Sequence, residues 1–256
     1  MKTSESCLEA IVEPSDVRAA YDAIAPSYAH HRSARKFVVE ILDRLHGKSP
    51  GGAVLEIGCG TGAYAAALAE TGSRTIYAMD LSRRMLAQAP EHDPIVYLQG
   101  LAANLPFADQ ALDMIFSVNV VHHLDDIDDY FRESSRTLRP GGILCTATDS
   151  EAIIKRRAPL SRYWPSTVPV ELARYHDLGM LREAMAAVGF CRIDECEGRW
   201  EFSVTEVGPY RDKAFSCLQL IPEEKFTRGL HAMESDLRTG PLEGASELAF
   251  LWAERL

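Results

Sequence analysis

Long apolar runs are missing from this 256-residue chain: no stretch approaches the ~18 consecutive apolar residues that a membrane-spanning helix needs. Basic residues are in the minority, 27 Lys and Arg against 37 Asp and Glu, which gives a formal charge of −10. A broad nucleic-acid footprint needs clustered Lys and Arg to displace counterions from phosphates, so no nucleic-acid partner is expected; a small or cationic ligand is compatible with this balance. Paired cysteines are absent too. Cys7, Cys59, Cys145, Cys191, Cys196 and Cys217 include no C-x-x-C, which removes the usual zinc clamp and redox pair. Cys191 and Cys196 stand five apart in an apparent strand and are expected on opposite faces, so reduced cytosolic thiols are the reading. The opening Met1 to Ser6 lacks the apolar centre of an export signal. A cytoplasmic location without membrane attachment is therefore expected.

What is present is an ordinary globular composition, 46% apolar and 25% charged, in a length suited to one α/β domain over 1–256 with room for a cap. Val17, Tyr21, Ile24 and Tyr28 recur at helical spacing over 16–30, and a second helix is predicted over 37–45. A different rhythm follows. Strands are predicted over 53–57, 75–79, 95–98, 114–118 and 143–148. Between them lie an alanine-rich helix over 63–70, a helix over 82–89 capped by Ser82, and one from about Asp125 to the Arg139-Pro140-Gly141-Gly142 turn. Strands alternating with helices through short loops imply a parallel sheet covered on both faces. Beyond residue 150 the pattern loosens. Pro159, Pro165 and Pro169 make 150–176 read as a long irregular connection, whereas 177–188 reads as helix, 191–196 and 247–252 as strand. Pro222 opens a helix with Phe226, Leu230, Met233 and Leu237 on one face.

Gly58-Cys59-Gly60-Thr61-Gly62 falls between the first strand and its helix, where a ligand can approach the backbone closely. Gly58, Gly60 and Ala63 also satisfy the looser dinucleotide pattern. The neighbouring acids select between ligands. Glu56, two residues before the turn, would oppose a pyrophosphate and attract an ammonium or sulfonium group. Asp80, eighteen residues after Gly62, ends the second strand, where a carboxylate can accept both ribose hydroxyls. A nucleoside with a cationic tail fits both.

These residues resemble the class I S-adenosylmethionine-dependent methyltransferases, in their small-molecule, type 11-like branch. Val54 to Gly62 resembles that family's first motif in every position, Ala78-Met79-Asp80-Leu81-Ser82 its second, Asn104-Leu105-Pro106-Phe107 its third, and Leu138 to Gly142 the turn before strand five. The resemblance implies a Rossmann-like, doubly wound, mostly parallel sheet of seven strands with the last reversed. Residues 16–150 would form the donor core, 150–176 and 208–240 helical cap insertions, and 247–253 the closing strand. It implies S-adenosylmethionine as the methyl donor, with Gly58, Cys59, Gly60 and Gly62 against its homocysteine part, Glu56 near its amino group, Asp80 and Leu81 at the ribose, and Asn119 at the amino end. Tyr21 and Tyr28 resemble aromatics that close over the donor, or they pack the core at helical spacing. One departure stands out: relatives carry an aspartate for the adenine amino group where this chain has Leu101, which leaves Ala102, Ala103 or Asn104 to recognise adenine. The activity implied is methyl transfer to an O, N, C or S atom of a small molecule. Its alternatives are a donor-binding protein without catalysis and a nicotinamide-dependent reductase, the latter opposed by Glu56.

His122-His123 followed by Asp125, Asp126, Asp128 and Asp129 suits a metal site or a histidine base on the one hand. On the other it suits packing beside a helix capped by Asp125 or Asp126. The capping reading is favoured over a metal, for want of a spaced ligand set. Tyr163, Trp164, Arg174, Tyr175 and His176 could line the acceptor pocket or seal a cap against the sheet, and with the nearby arginines they suggest a planar or anionic acceptor. Lys155-Arg156-Arg157 reads as a solvated turn.

Overall fold

The hydrophobic alternation of the first strands decides the layers. In β1 (Ala53–Ile57), Val54 points to one face of the sheet and Leu55 and Ile57 to the other. The computed structural model describes Asp22, Ala25 and residues 33–47, 52–72, 75–124 and 126–256. Tyr21, Tyr28 and most of the helix expected over 16–30 lie outside the described residues, as does Asp125. Strands β1, β2 (Thr75–Asp80), β3 (Ile95–Gln99), β4 (Leu112–Val118) and β5 (Leu138–Thr148) run parallel. β7 (Leu242–Arg255) is antiparallel to both β5 and β6 (Phe190–Val204), giving the order β3-β2-β1-β4-β5-β7-β6. This is the Rossmann-like sheet of seven strands with its last strand reversed. Chain direction across the sheet switches between β1 and β4, and ligands of such sheets bind outside the carboxyl ends at that point.

One face carries α1 (Lys36–His46) and α2 (Ala63–Ala69): Val38, Leu42, Leu45 and Leu68 are buried against Val54, Met114, Phe116 and Phe250. After the short α3 (Arg83–Leu86), α4 (Ile127–Thr137) lies on the other face, where Tyr130 and Phe131 meet Leu55, Ile115 and Leu144. Starts of these helices follow their caps. Ser82 Oγ accepts from Met85 N at 3.0 Å, and Asp126 Oδ1 accepts from the amides of Asp128 and Asp129 at 2.8 and 3.1 Å.

Residues 150–176 are not an irregular connection. They form α5 (Glu151–Arg156), α6 (Leu160–Tyr163) and α7 (Thr167–Arg174), each short, followed by α8 (Leu178–Ala187). α9 (Gly208–Arg211), α10 (Ser216–Gln219) and α11 (Glu223–Leu237) join them above the sheet's carboxyl edge. A third apolar cluster, with Leu160, Trp164, Tyr210, Leu218, Phe226 and Met233, holds this cap together. The cysteine geometry also differs from expectation. Cys191 pairs with Glu254 and Cys196 with Phe250, four residues apart on β7, so both lie on one face. A bulge between Cys191 and Asp194, with Arg192 at φ 48°, inserts the residue that reverses the parity. None of the described helices is long and apolar enough to cross a membrane.

Candidate active site

Three glycines in left-handed conformation shape the turn after β1: Gly58, Gly60 and Gly62 have φ of 68, 55 and 74°. Space enforces the choice as well. A Cβ at Gly58 would collide with Val120, and one at Gly62 would stand 2.7 Å from Tyr97 Cε1. The turn is tied to the end of β2, because Gly60 N donates to Asp80 Oδ2 at 2.7 Å and Ser82 N donates to Asp80 Oδ1 at 2.8 Å. Each carboxylate oxygen keeps acceptor capacity for a ligand hydroxyl. Burial raises the Asp80 pKa, and the charge of Asp22 adds to it against the lowering effect of the backbone amides of Ser82, Gly60 and Leu81. Asp22 in turn accepts a hydrogen bond from Ser82 Oγ. Beyond β3, Asn104 N donates to Leu101 O at 3.1 Å and closes a tight turn that leaves Leu101 half-exposed. An apolar side chain thus stands in solvent at Leu101.

Glu56 is buried at the mouth of this turn, and its Oε2 has no hydrogen-bond partner. Burial pushes its pKa up to about 8; a backbone hydrogen bond at Ala65 opposes the shift and Asp80 adds to it. Asn119, at φ 57° just past β4, likewise carries a buried Oδ1 without a partner. Both residues line a cavity of about 290 Å³ between the glycine turn and the cap. Unpaired buried acceptors cost about 1–3 kcal/mol each, and two of them facing one cavity suit a ligand that brings an ammonium group. This matches the amino end of S-adenosylmethionine, and Asp80 retains capacity for its ribose. The donor set fits the group.

Across the cavity stands a buried ion network. Arg157 donates from Nη1 to Asp149 Oδ2 at 2.6 Å and from Nη2 to Glu171 Oε2 at 2.8 Å, while Arg174 Nη1 holds Glu171 Oε1 at 2.8 Å. Arg157 is therefore no solvated turn residue: the cap folds it inward onto two carboxylates. Arg174 Nη2 lies 3.4 Å from His123 Nδ1. Burial, then the charge of Arg174, drops the His123 pKa to about 3. His122 is pushed well below the usual histidine range by burial, then by His123, Arg174, Arg157 and His176. Its ring stacks on Tyr175 at 3.9 Å and 16°. Both imidazoles are neutral at pH 7, and His122 lines the cavity with a ring nitrogen able to accept a hydrogen bond.

The predicted residues thus separate into groups. Glu56, Gly58, Cys59, Asn119, His122 and Tyr175 share the cavity wall. Asp80, Leu81, Ala102 and Ala103 sit past the glycine turn at the ends of β2 and β3 and are not among its lining residues. Tyr163 and Trp164 pack inside the cap: Tyr163 Oη donates to Asp236 Oδ2 at 2.7 Å and Trp164 Nε1 to Phe226 O at 2.9 Å. Arg174 and His176 flank the histidine pair. Sequence reasoning passed over Asp149, Arg157 and Glu171, and also the aromatic wall of Trp200, Phe202, Tyr210 and Phe215. These come from four separate segments whose meeting has no local signal. Among the described residues, no three His, Cys, Asp or Glu side chains are grouped to hold a metal ion.

Comparison with known proteins bears on the family and the fold. A methyltransferase domain model matches residues 55–146. The chain is 33% identical over 177 residues to the malonyl-[acyl-carrier protein] O-methyltransferase of Erwinia pyrifoliae, covering 64% of this chain and 66% of that relative. These matches and the fold support a class I S-adenosylmethionine-dependent methyltransferase. Methyltransferase GfsG of Streptomyces halstedii is 36% identical over 122 residues, 45% of this chain and 44% of that one. Members of the family matched in this way are each spanned by the chain over less than two thirds of their length. A structure described as a putative methyltransferase from an antibiotic biosynthesis pathway of Anabaena variabilis shares the fold, with a TM-score of 0.67 and 21% identity over 84% of this chain and 96% of that one.

Proposed function

We propose that the chain takes a methyl group from S-adenosylmethionine and passes it to a small-molecule acceptor held in the cavity between the glycine turn and the cap. The observation that carries this reading is the pair of unpartnered buried acceptors, Glu56 Oε2 and Asn119 Oδ1, on the wall of a cavity that also exposes His122 and Tyr175. Glu56 and Asn119 would take the donor's ammonium, the turn from Gly58 to Gly62 its homocysteine backbone, and Asp80 with Leu81 its ribose. Ala102, Ala103 and Asn104 would contact the adenine by backbone and amide groups, since Leu101 has no acid to offer. The donor supplies an electrophilic methyl on a sulfonium, so the protein's task is alignment and exclusion of water. The cap contributes the exclusion, and His122 offers a hydrogen-bond acceptor to an acceptor group that must lose a proton.

Calorimetry with S-adenosylmethionine, S-adenosylhomocysteine and NADH tests the donor assignment. The first two are expected to bind, and Asp80→Ala to weaken them about 10- to 100-fold. Because ribose binding is shared by ground and transition states, turnover at saturating donor should fall much less. Tight NADH binding with no response to the other two would overturn the reading in favour of a reductase. Donor binding with no transfer to any member of a pooled metabolite set would leave a binding protein in its place.

A further inference from the structure

Beyond the donor side, three residues on the same cavity wall carry a buried polar atom without a partner among the described residues: Arg157 Nε, His122 Nδ1 and Ser246 Oγ. Their chemistry is complementary in kind. Arg157 Nε–H can only donate, and both its Nη atoms are already committed to Asp149 and Glu171. A neutral imidazole offers one ring nitrogen as an acceptor, and a serine hydroxyl serves either way. A carboxylate would satisfy Arg157 but has no proton for His122. An ammonium would give a proton but cannot accept from Arg157. A hydroxyl does both.

Charge and shape narrow the class further. The cap-side guanidiniums are neutralised: Arg157 by Asp149 and Glu171, Arg174 by Glu171, and Arg199 by Glu247. An incoming anion would therefore meet Asp149, Glu171 and Glu247, while the guanidiniums of Arg157, Arg174 and Arg199 are already paired. The arginines that suggested an anionic acceptor in the sequence are thus already occupied by carboxylates. Three stacked ring pairs line the cavity: Trp200 with Phe202 at 5.2 Å, Tyr210 with Phe215 at 5.1 Å, and His122 with Tyr175 at 3.9 Å. Trp200 is half-exposed although it belongs to the wall, which leaves a large apolar face available to a flat ligand.

We propose that the acceptor is an uncharged planar aromatic molecule carrying a hydroxyl, and that the hydroxyl oxygen is the atom methylated. The assignment rests on the methyl-transfer reading above. The hydroxyl oxygen forms the new bond to the methyl carbon while the carbon–sulfur bond breaks. The electron pair of that bond goes to sulfur, which loses its positive charge. The hydroxyl, hydrogen-bonded to His122 Nδ1, gives up its proton to water as its oxygen takes the methyl. Products are an aryl methyl ether, S-adenosylhomocysteine and a proton.

The test uses the full chain saturated with S-adenosylhomocysteine. Calorimetry compares phenols of one, two and three rings with a carboxylate and a protonated amine on the same frame, for example 2-naphthol, 2-naphthoate and 2-naphthylmethylamine. At least one phenol is expected to bind about 10-fold or more tightly than its carboxylate and amine counterparts, and labelled S-adenosylmethionine to give its methyl ether. Ser246→Ala should weaken that phenol about 3- to 10-fold and leave S-adenosylhomocysteine affinity unchanged. Preference for the carboxylate or amine would overturn the assignment, as would failure of all the phenols while S-adenosylhomocysteine binds. Failure of S-adenosylhomocysteine itself would bring down the methyl-transfer reading and this one with it.

Discussion

A carboxyl group held at Glu56 with a pKa of about 8 carries its proton at pH 7, and an ammonium group brought beside it would favour the charged form. Donor binding near neutrality is therefore expected to release up to about one proton from the protein. Calorimetric titrations of S-adenosylmethionine in buffers of different ionisation enthalpy read this directly. Enthalpies that differ between phosphate and Tris for the wild type, and coincide for Glu56→Gln, are the expected result; buffer-independent enthalpies for the wild type would place the ammonium elsewhere. This residue was legible in the sequence because its position two before Gly58 is a local relation on one strand and one turn. Arg157 was not. Whether a guanidinium in a basic triplet meets water or Asp149 depends on how α5 and α7 fold over the sheet, and no spacing encodes that.

The cap elements explain both a misreading and a vulnerability. Pro159, Pro165 and Pro169 argue against one long helix, and that inference holds. They nevertheless sit where short helices begin: Pro159 is the N-cap of α6 and Pro169 lies in the first turn of α7, where a missing amide costs nothing. β6 was read over 191–196 because Glu195, Glu197, Arg199 and Glu201 make its exposed positions charged, so a fifteen-residue edge strand lacks an apolar signature. By contrast β1, β2 and β4, buried on both faces, read plainly as apolar runs. Within the cap, α11 approaches Trp164 so closely that a Cβ at Gly229 would collide with the indole and stand 2.6 Å from Tyr163 O. Alanine normally strengthens a helix interior, yet here Gly229→Ala is expected to destabilise by about 1–3 kcal/mol through overpacking. Trp164→Ala, which empties a fully buried site and removes the indole's hydrogen bond to Phe226 O, should cost about 3–5 kcal/mol. Denaturant midpoints measure both; a stabilised Gly229→Ala would mean that α11 shifts freely over the cap.

Taken over the whole molecule, the buried titratable groups act in opposite directions with pH. Glu56 has a folded pKa of about 8 against an ordinary 4.5, so its contribution is fully present below pH 4.5 and is lost as pH rises through 8. His123, at about 3 against 6.5, contributes above pH 6.5 and loses that contribution as pH falls towards 3, and His122 shifts the same way. The melting temperature should accordingly peak near pH ~6.5, where the rising histidine limb meets the falling glutamate limb. Glu56→Gln is expected to flatten the alkaline limb and His123→Asn the acid limb; a melting temperature unchanged from pH 4.5 to 8 would contradict both burials. A different consequence follows from the sheet order. β6 touches the sheet solely through β7, and 37 residues of cap separate the end of one from the start of the other. On a ribosome adding ~5–20 residues per second, the segment 190–204 waits several seconds with both its edges unpaired. During that interval it is a template for pairing with other chains. Its charges at alternate positions, Glu195, Glu197, Arg199 and Glu201, are expected to act as gatekeepers that keep nascent molecules apart until Leu242 and the residues after it arrive. Removing that charge by changing Glu195, Glu197 and Glu201 to Thr should therefore lower the yield of soluble protein during synthesis more than it lowers the stability of molecules already folded.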